Sequence, residues 1–211
     1  MIERHLRPRG IGHPLVLAAM ATIPRERFVA AIHREEAYGD GPLPIEAGQT
    51  ISQPYMVAIM AQLLNPDGQG TILEIGAGSG YGAAILSRLA ARVITLERIP
   101  ALLNAARQRW HALGLDNIEG IHADGTLGYP EQAPYDGIVV TAGAPSIPPP
   151  LLEQLKPVHG TLVIPHGSRS LQTLATVTRD EQGRPTVTSH FGCTFVPLIG
   201  RHGWERIVAL R

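Results

Sequence analysis

The rhythm of apolar and polar positions changes near residue 70. Before that point the apolar residues come in short bursts broken by proline. Pro14 opens a stretch through Leu15, Val16, Leu17 and Met20, and Pro24 restarts the chain ahead of Phe28 and Val29. Short helices are predicted between residues 11 and 29. Residues 38–48 carry glycine and proline too densely for regular structure and are expected to form an ordered loop. A helix is predicted from Pro54, because proline suits a first helical turn. Met56, Met60, Leu63 and Leu64 keep helical spacing along it until Asn65-Pro66 stops it.

After residue 70 short apolar runs alternate with helical stripes. Thr71-Ile72-Leu73-Glu74-Ile75 reads as a buried strand, followed by a glycine-rich turn over residues 76–82 and a small-residue helix through Ala83, Ala84, Ile85 and Leu89. A second strand covers residues 92–96 and ends on Glu97. The next helix, from about Pro100, aligns Leu102, Leu103, Ala106, Trp110 and Leu113, with Gly114 as its cap. Strands follow at residues 118–122, 135–141 and 161–165, with a helix around 151–155 before the last of them. Residues 171–178 and 186–198 look like a hairpin turned at Glu181-Gln182-Gly183. This alternation predicts an α/β fold: a mostly parallel sheet with helices on both faces, an N-terminal helical extension and a C-terminal antiparallel hairpin. No repeat or linker divides the chain. We expect one domain over residues 1–211, with an extension at 1–69 and a core at 70–211.

Composition narrows the partners. A chain of 211 residues buries roughly 70% of its unfolded surface, enough for a core without staples. Lysine and arginine number 18 against 18 aspartate and glutamate, so no net field draws the protein to nucleic acid or to a membrane surface, and neither is expected as a partner. A single cysteine, Cys193, excludes an intramolecular disulfide framework and any multi-cysteine zinc site. Nine histidines form no H-E-x-x-H or other compact ligand spacing, so no metal is expected. Met1-Ile2-Glu3-Arg4-His5 opens no signal-peptide pattern, and no run approaches the ~20 apolar residues of a membrane span. The expected location is cytoplasmic.

Ligands of open α/β sheets sit beyond the carboxyl ends of the strands. Three polar elements fall there: Gly76-Ala77-Gly78-Ser79-Gly80, then Glu97 with Arg98, then Asp124 with Gly125. Glu97 lies about 20 residues past the loop, a spacing at which an acid accepts both ribose hydroxyls. The glycines step by two, and Tyr81 stands where the nicotinamide fingerprint G-x-G-x-x-G places its last glycine. With Glu74 ahead of the loop, the form E-x-G-x-G-x-G resembles the first motif of S-adenosylmethionine-dependent methyltransferases. The resemblance implies a Rossmann-like fold, S-adenosyl-L-methionine as cofactor and S-adenosyl-L-homocysteine as product. It also implies that Glu74 organises the loop around the methionine part, Glu97 holds the ribose and Asp124 reaches the adenine amino group.

Gly48-Gln49-Thr50-Ile51-Ser52-Gln53-Pro54 places hydroxyls just ahead of a helix whose start offers unpaired N–H groups, a setting suited to a carboxylate. Read alone, Ser52 serves more readily as a helix cap, since serine is common at helix starts. The segment, with Leu43-Pro44-Ile45 before it, is similar to the substrate loop of protein-L-isoaspartate (D-aspartate) O-methyltransferases. Pro24-Arg25-Glu26-Arg27-Phe28-Val29, Ala133-Pro134-Tyr135-Asp136, Leu155-Lys156-Pro157 and Phe195-Val196-Pro197-Leu198 also match that family, so the likeness runs from about Gly10 to Leu198. It implies repair of damaged peptides and proteins: the free α-carboxylate of an isoaspartyl residue is methylated, and the ester closes to a succinimide. By the same likeness Ser52 orients that carboxylate, and Gln49, Thr50, Ile51 and Ser52 line the cofactor site. Three positions depart from the family pattern: Glu46 and Ala123, where glycine is common, and His166, where an apolar residue is expected.

Other functions fit less well. Ala77 fills the first glycine of a G-x-S-x-G elbow, which argues against a hydrolase. A non-catalytic peptide-binding module has no need of Gly76, Gly78, Gly80, Glu97 and Asp124 together, and a small-molecule methyltransferase has no need of the 49–53 loop.

Overall fold

A computed structural model describes residues 1–205; the last six residues of the expected 1–211 domain lie outside the described residues. The N-terminal part carries helix α1 (Pro14–Thr22), a two-stranded ribbon of β1 (Leu43–Pro44) and β2 (Thr50–Ile51), and helix α2 (Pro54–Leu63). The core follows as β3 (Thr71–Ile75), α3 (Tyr81–Leu86), β4 (Arg92–Glu97), α4 (Pro100–Ala112), β5 (Ile118–His122), β6 (Gly137–Val140), α5 (Pro149–Glu153), β7 (Thr161–Gly167), β8 (Gln172–Arg179) and β9 (Pro185–Cys193). These seven strands form one sheet in the order β5-β4-β3-β6-β7-β8-β9, parallel from β5 to β7 and antiparallel beyond.

Successive strand residues point to opposite faces, and the core divides accordingly. Ile72, Val93, Val139 and Val163 face one apolar cluster with α1, α2 and α3. Leu73, Ile94, Ile138, Val140 and Leu162 face the other, with Tyr135, Leu151 and Leu198. Helices on both faces explain why β3, β4 and β6 read as continuous apolar runs rather than as alternating ones. Among the described residues strand β9 pairs only with β8 and is exposed along most of its length, in keeping with Thr186, Thr188, Ser189 and His190 in its sequence.

Several bounds differ from expectation. Helix α3 stops at Leu86, so Leu89, though fully buried, lies past it. The strand expected over 135–141 is Gly137–Val140, with Tyr135 making only an isolated bridge to Leu155. The expected helix at 151–155 begins earlier, at Pro149, where proline takes the first turn. The second arm of the hairpin ends at Cys193 rather than 198. There the Phe195 amide donates to Gln172 Oε1 at 2.8 Å, and the chain leaves β8 to run beside Gly143. Helical turns at Ile2–Leu6 and Arg7–Arg9, which bury Leu6, were not predicted.

Candidate functional site

The glycine loop joins β3 to α3 at the point where the sheet order reverses, with β4 on one side of β3 and β6 on the other. Gly76 and Ala77 both donate their amides to the Leu96 carbonyl, at 2.8 and 3.3 Å. Gly76 has a φ of +99°, and a Cβ there would sit 2.5 Å from Thr141 Oγ1. Thr141 in turn donates to the Ile75 and Gly76 carbonyls at 3.0 and 2.7 Å. At the far end of the loop, a Cβ on Gly80 would lie 2.8 Å from Trp110 Nε1, which donates to the Gly80 carbonyl at 2.8 Å. The loop is therefore clamped between the end of β6 and the apolar stripe of α4, and only glycine permits both contacts.

Around this loop opens a cleft of about 840 Å³, part of it open to solvent. Gly76, Ala77, Gly78 and Ser79 line it, as do Glu74, Glu97, Arg98 and Gly125, and the substrate-loop residues Gln49, Thr50, Ile51 and Ser52 reach it from the other side. Of the cofactor-site residues expected from the sequence, Gly80 and Asp124 do not line it. Gly80 is turned to Trp110. The Asp124 carboxylate is occupied elsewhere: Oδ1 accepts from the Thr126 amide and hydroxyl at 2.9 and 2.7 Å, and Oδ2 from the Arg201 amide at 2.8 Å. Partial burial raises the Asp124 carboxyl, but the bonds from Arg201 and Thr126 outweigh it and hold the group below the ordinary aspartate value.

Two acids differ sharply in setting. Glu97, at the end of β4, accepts from the Gly78 amide through Oε2 and from the Ile99 amide through Oε1, both at 2.9 Å. Glu74 is almost wholly buried, and its Oε2 accepts from the Thr95 hydroxyl at 2.6 Å. Burial pushes the Glu74 carboxyl up to about 8; the Thr95 bond opposes this and the charge of Glu97 adds to it. Behind the cleft, Ser52, Glu74 and Thr141 also border a smaller apolar recess that reaches Met60 and Ile85.

Ser52 is not a helix cap. The cap position of α2 belongs to Gln53, without a side-chain bond, and the Ser52 hydroxyl makes no hydrogen bond among the described residues. Glu46 turns toward α4, with Oε1 3.7 Å from Arg109 Nη2, while Arg109 Nη1 donates to the Ser79 carbonyl at 3.1 Å. The residues 43–51 thus strap across the glycine loop, with Ile45 Cδ1 3.8 Å from where a Gly78 Cβ would sit. Ala123 and His166 do not line the cleft; the Ala123 amide donates to the Glu97 carbonyl at 3.2 Å, and His166 bridges Ala144.

Thr141 and residues 196–199 line the cleft without having been singled out. Thr141 carried a usable signal, since it ends the strand that topology sets beside β3. Residues 196–198 carried only their likeness to the family and no local pattern that marks a site wall, because they reach the cleft only after leaving the sheet. Among the described residues no three histidine, cysteine, aspartate or glutamate side chains converge to hold a metal ion, and no helix is long and apolar enough to cross a membrane.

Comparison with known proteins agrees with this geometry. Residues 1–203 match the family model described as protein-L-isoaspartate(D-aspartate) O-methyltransferase. The chain is 52% identical over 205 residues to a protein-L-isoaspartate O-methyltransferase of Methanoregula boonei, covering 97% of this chain and 94% of that one. It is 53% identical to protein-L-isoaspartate O-methyltransferase 2 of Pelobacter propionicus, covering 97% and 91%. Among solved structures, a protein-L-isoaspartate O-methyltransferase superposes with a TM-score of 0.82 at 27% identity over 93% of this chain, which spans 64% of that protein's length. Another, from Plasmodium falciparum and in complex with S-adenosyl-L-homocysteine, gives a TM-score of 0.78 at 28% identity, covering 92% and 94%.

Proposed function

The chain belongs to the protein-L-isoaspartate(D-aspartate) O-methyltransferase family, and from that premise we propose how its residues divide the work. The enzyme uses S-adenosyl-L-methionine to methylate isoaspartyl residues in damaged peptides and proteins. In our reading the loop Gly76-Ala77-Gly78-Ser79-Gly80 holds the cofactor with Glu97 and Arg98, Glu97 taking the ribose hydroxyls. Glu74 faces the methionine part, Asp124 and Gly125 serve the adenine end, and Gln49, Thr50, Ile51 and Ser52 close the other wall.

The residues present suit this cofactor. Glu97 is anchored through backbone amides, yet each of its oxygens keeps acceptor capacity. Glu74 Oε1 makes no hydrogen bond among the described residues, so a buried carboxyl is left to meet a cationic group. When bound, the cofactor supplies a sulfonium-activated methyl group that passes to a carboxylate oxygen, leaving S-adenosyl-L-homocysteine and a methyl ester.

What remains for the protein is alignment. An α-carboxylate has a pKa of about 3.5 and is already ionised at neutral pH, so the chain need not supply a general base. Ser52 donates its free hydroxyl to that carboxylate and orients it, and the partly enclosed cleft limits water around the reacting atoms. A backbone amide nitrogen of the substrate then attacks the ester carbonyl and displaces methanol, closing a succinimide without further help from the enzyme. Asp124 serves the adenine end only through acceptor capacity left after three hydrogen bonds, and it also anchors the turn behind the cleft.

The observation that carries this reading is the meeting of Ser52, Glu74, Glu97 and the glycine loop on one cleft. Its test is transfer of labelled methyl groups to paired peptides that differ only in an aspartyl or isoaspartyl linkage. Methylation of the isoaspartyl peptide alone, lowered in Ser52→Ala, supports the assignment; equal methylation of both peptides sinks it. Balanced charge also supports peptides and proteins rather than nucleic acid as partners, and the cytoplasm as the location is open to cell fractionation.

A further inference from the structure

Arg25 is among the largest side chains in the protein that are completely buried. It opens the short turn Arg25–Phe28 as the first of three consecutive charged residues. Its guanidinium is shared between two backbone carbonyls, with Nε donating to Ala37 and Nη2 to Ser52, both at 2.8 Å. The guanidinium carbon lies 4.9 Å from the ring centroid of Tyr81, the first residue of α3 after the glycine loop. Nη1 has no partner, and no carboxylate forms an ion pair with Arg25 among the described residues. Burial lowers its pKa below the ordinary arginine value, with Tyr81 acting in the opposite sense. Desolvating a guanidinium costs several kcal/mol, a large outlay if its only purpose is to satisfy two carbonyls.

The Ser52 contact has a consequence for the neighbouring amide. A peptide bond is planar and trans, so its N–H points opposite to its C=O. With the Ser52 carbonyl turned to Arg25, the Gln53 N–H is directed the other way, and it makes no hydrogen bond among the described residues. Pro54 contributes no N–H, so the Gln53 amide and the Ser52 hydroxyl stand as adjacent free donors. The far side of this peptide is also fixed. Gln53 Nε2 donates to the Asp40 carbonyl at 3.0 Å and to its carboxylate at 2.8 Å, and Arg9 holds that carboxylate at 2.6 Å.

We propose that Arg25 is a positioning residue of the reaction: by holding the Ser52 carbonyl it presents the Gln53 N–H and the Ser52 hydroxyl together to the acceptor carboxylate. The inference rests on the reading of Ser52 given above. Through Ala37 the same cation ties the start of the 38–48 loop to the acceptor site, so loop and acceptor donors share one anchor.

The test compares Arg25→Lys, Arg25→Met and Ser52→Ala in the full-length enzyme. The isoaspartyl peptide is varied at saturating S-adenosyl-L-methionine, and S-adenosyl-L-homocysteine affinity is measured separately by calorimetry. A single ammonium does not reproduce the planar fork that bridges two carbonyls. Arg25→Lys is therefore expected to raise the peptide KM about tenfold, with the S-adenosyl-L-homocysteine Kd moving no more than about twofold. Arg25→Met, which also removes the charge, raises KM further; where it fails to fold, Arg25→Lys decides. An unchanged KM, or a KM rise matched by an equal loss of cofactor affinity, overturns the inference and makes Arg25 ordinary structural glue. A KM rise in Arg25→Lys without one in Ser52→Ala keeps the amide-presenting role and removes Ser52 from the site. A rise in Ser52→Ala alone keeps Ser52 and rejects Arg25.

Discussion

The carboxylate of Glu97 accepts a hydrogen bond from the backbone amide of Gly78 at 2.9 Å. The acid at the end of β4 is thereby built into the glycine loop that follows β3, and neither forms the site without the other. The relationship joins two neighbouring parallel strands at their carboxyl ends, where Glu97 pairs in register with His122 of β5 and Leu96 with Ile75 of β3. Strand register thus brings a loop and an acid 19 positions apart in sequence into hydrogen-bond contact.

Glu97→Gln should damage this junction. Both carboxylate oxygens accept from backbone amides, and an amide side chain directs an NH₂ at one of them. Loss of a charge-assisted bond is worth about 1.5–3 kcal/mol, so S-adenosyl-L-homocysteine should bind roughly 10- to 100-fold more weakly. Titration calorimetry checks this; unchanged affinity would remove Glu97 from the cofactor site.

Glu74 predicts a pH dependence of stability. Its folded pKa, about 8, lies above the ordinary glutamate value of 4.5, so the native state holds the proton more tightly than the unfolded chain does. The stability this contributes is fully present below about 4.5 and is lost as pH rises toward 8. In the ligand-free enzyme Glu74→Gln should flatten this part of the stability profile, measured by denaturant unfolding across that range. A mutant curve parallel to the wild type at every pH would show that Glu74 does not titrate there.

Asp124→Ala should act first on stability. It strips acceptors from the Thr126 amide, the Thr126 hydroxyl and the Arg201 amide. Donors left without partners cost about 1–3 kcal/mol, read as a lower melting temperature of the ligand-free protein. An unchanged melting temperature combined with weaker cofactor binding would instead assign Asp124 to the ligand alone.

How far the sequence revealed this molecule depends on where each signal resides. Strand β3 was legible to the residue because an apolar run between turn formers is a local pattern. The glycine loop and Glu97 stood out at strand ends by the same local pattern, whereas the 49–52 segment stood out only through its likeness to the family. Arg25 was not, since in Pro-Arg-Glu-Arg-Phe it reads as one more solvated charge, and only the surrounding elements bury it. The engagement of Asp124 was hidden likewise, because its partner Arg201 lies 77 positions away, past the last element the sequence pattern predicts. Residues 194–198 were read as strand because alternating apolar residues continue past Cys193. The switch of partner from β8 to Gly143 is a tertiary event with no local period.

Glu46 is the departure from the family pattern with the clearest bearing on substrate choice. A negative charge beside the acceptor loop raises the prospect that acidic peptides are repelled. The structure places that charge 3.7 Å from Arg109, on a side chain that is 59% exposed. Exposed pairs of this kind contribute about 0–1 kcal/mol and weaken as salt rises, so Glu46→Ala should leave the melting temperature nearly unchanged. Neutralisation by Arg109 and screening over about 8 Å at physiological salt should likewise hold the change in KM between acidic and basic isoaspartyl peptides below about twofold. Repeating the comparison at low ionic strength separates the two effects. A preference for acidic peptides that emerges in Glu46→Ala only at low salt means that the Glu46 field reaches the substrate and is normally screened. One that persists at physiological salt would mean that Arg109 does not neutralise it and that Glu46 selects among damaged peptides.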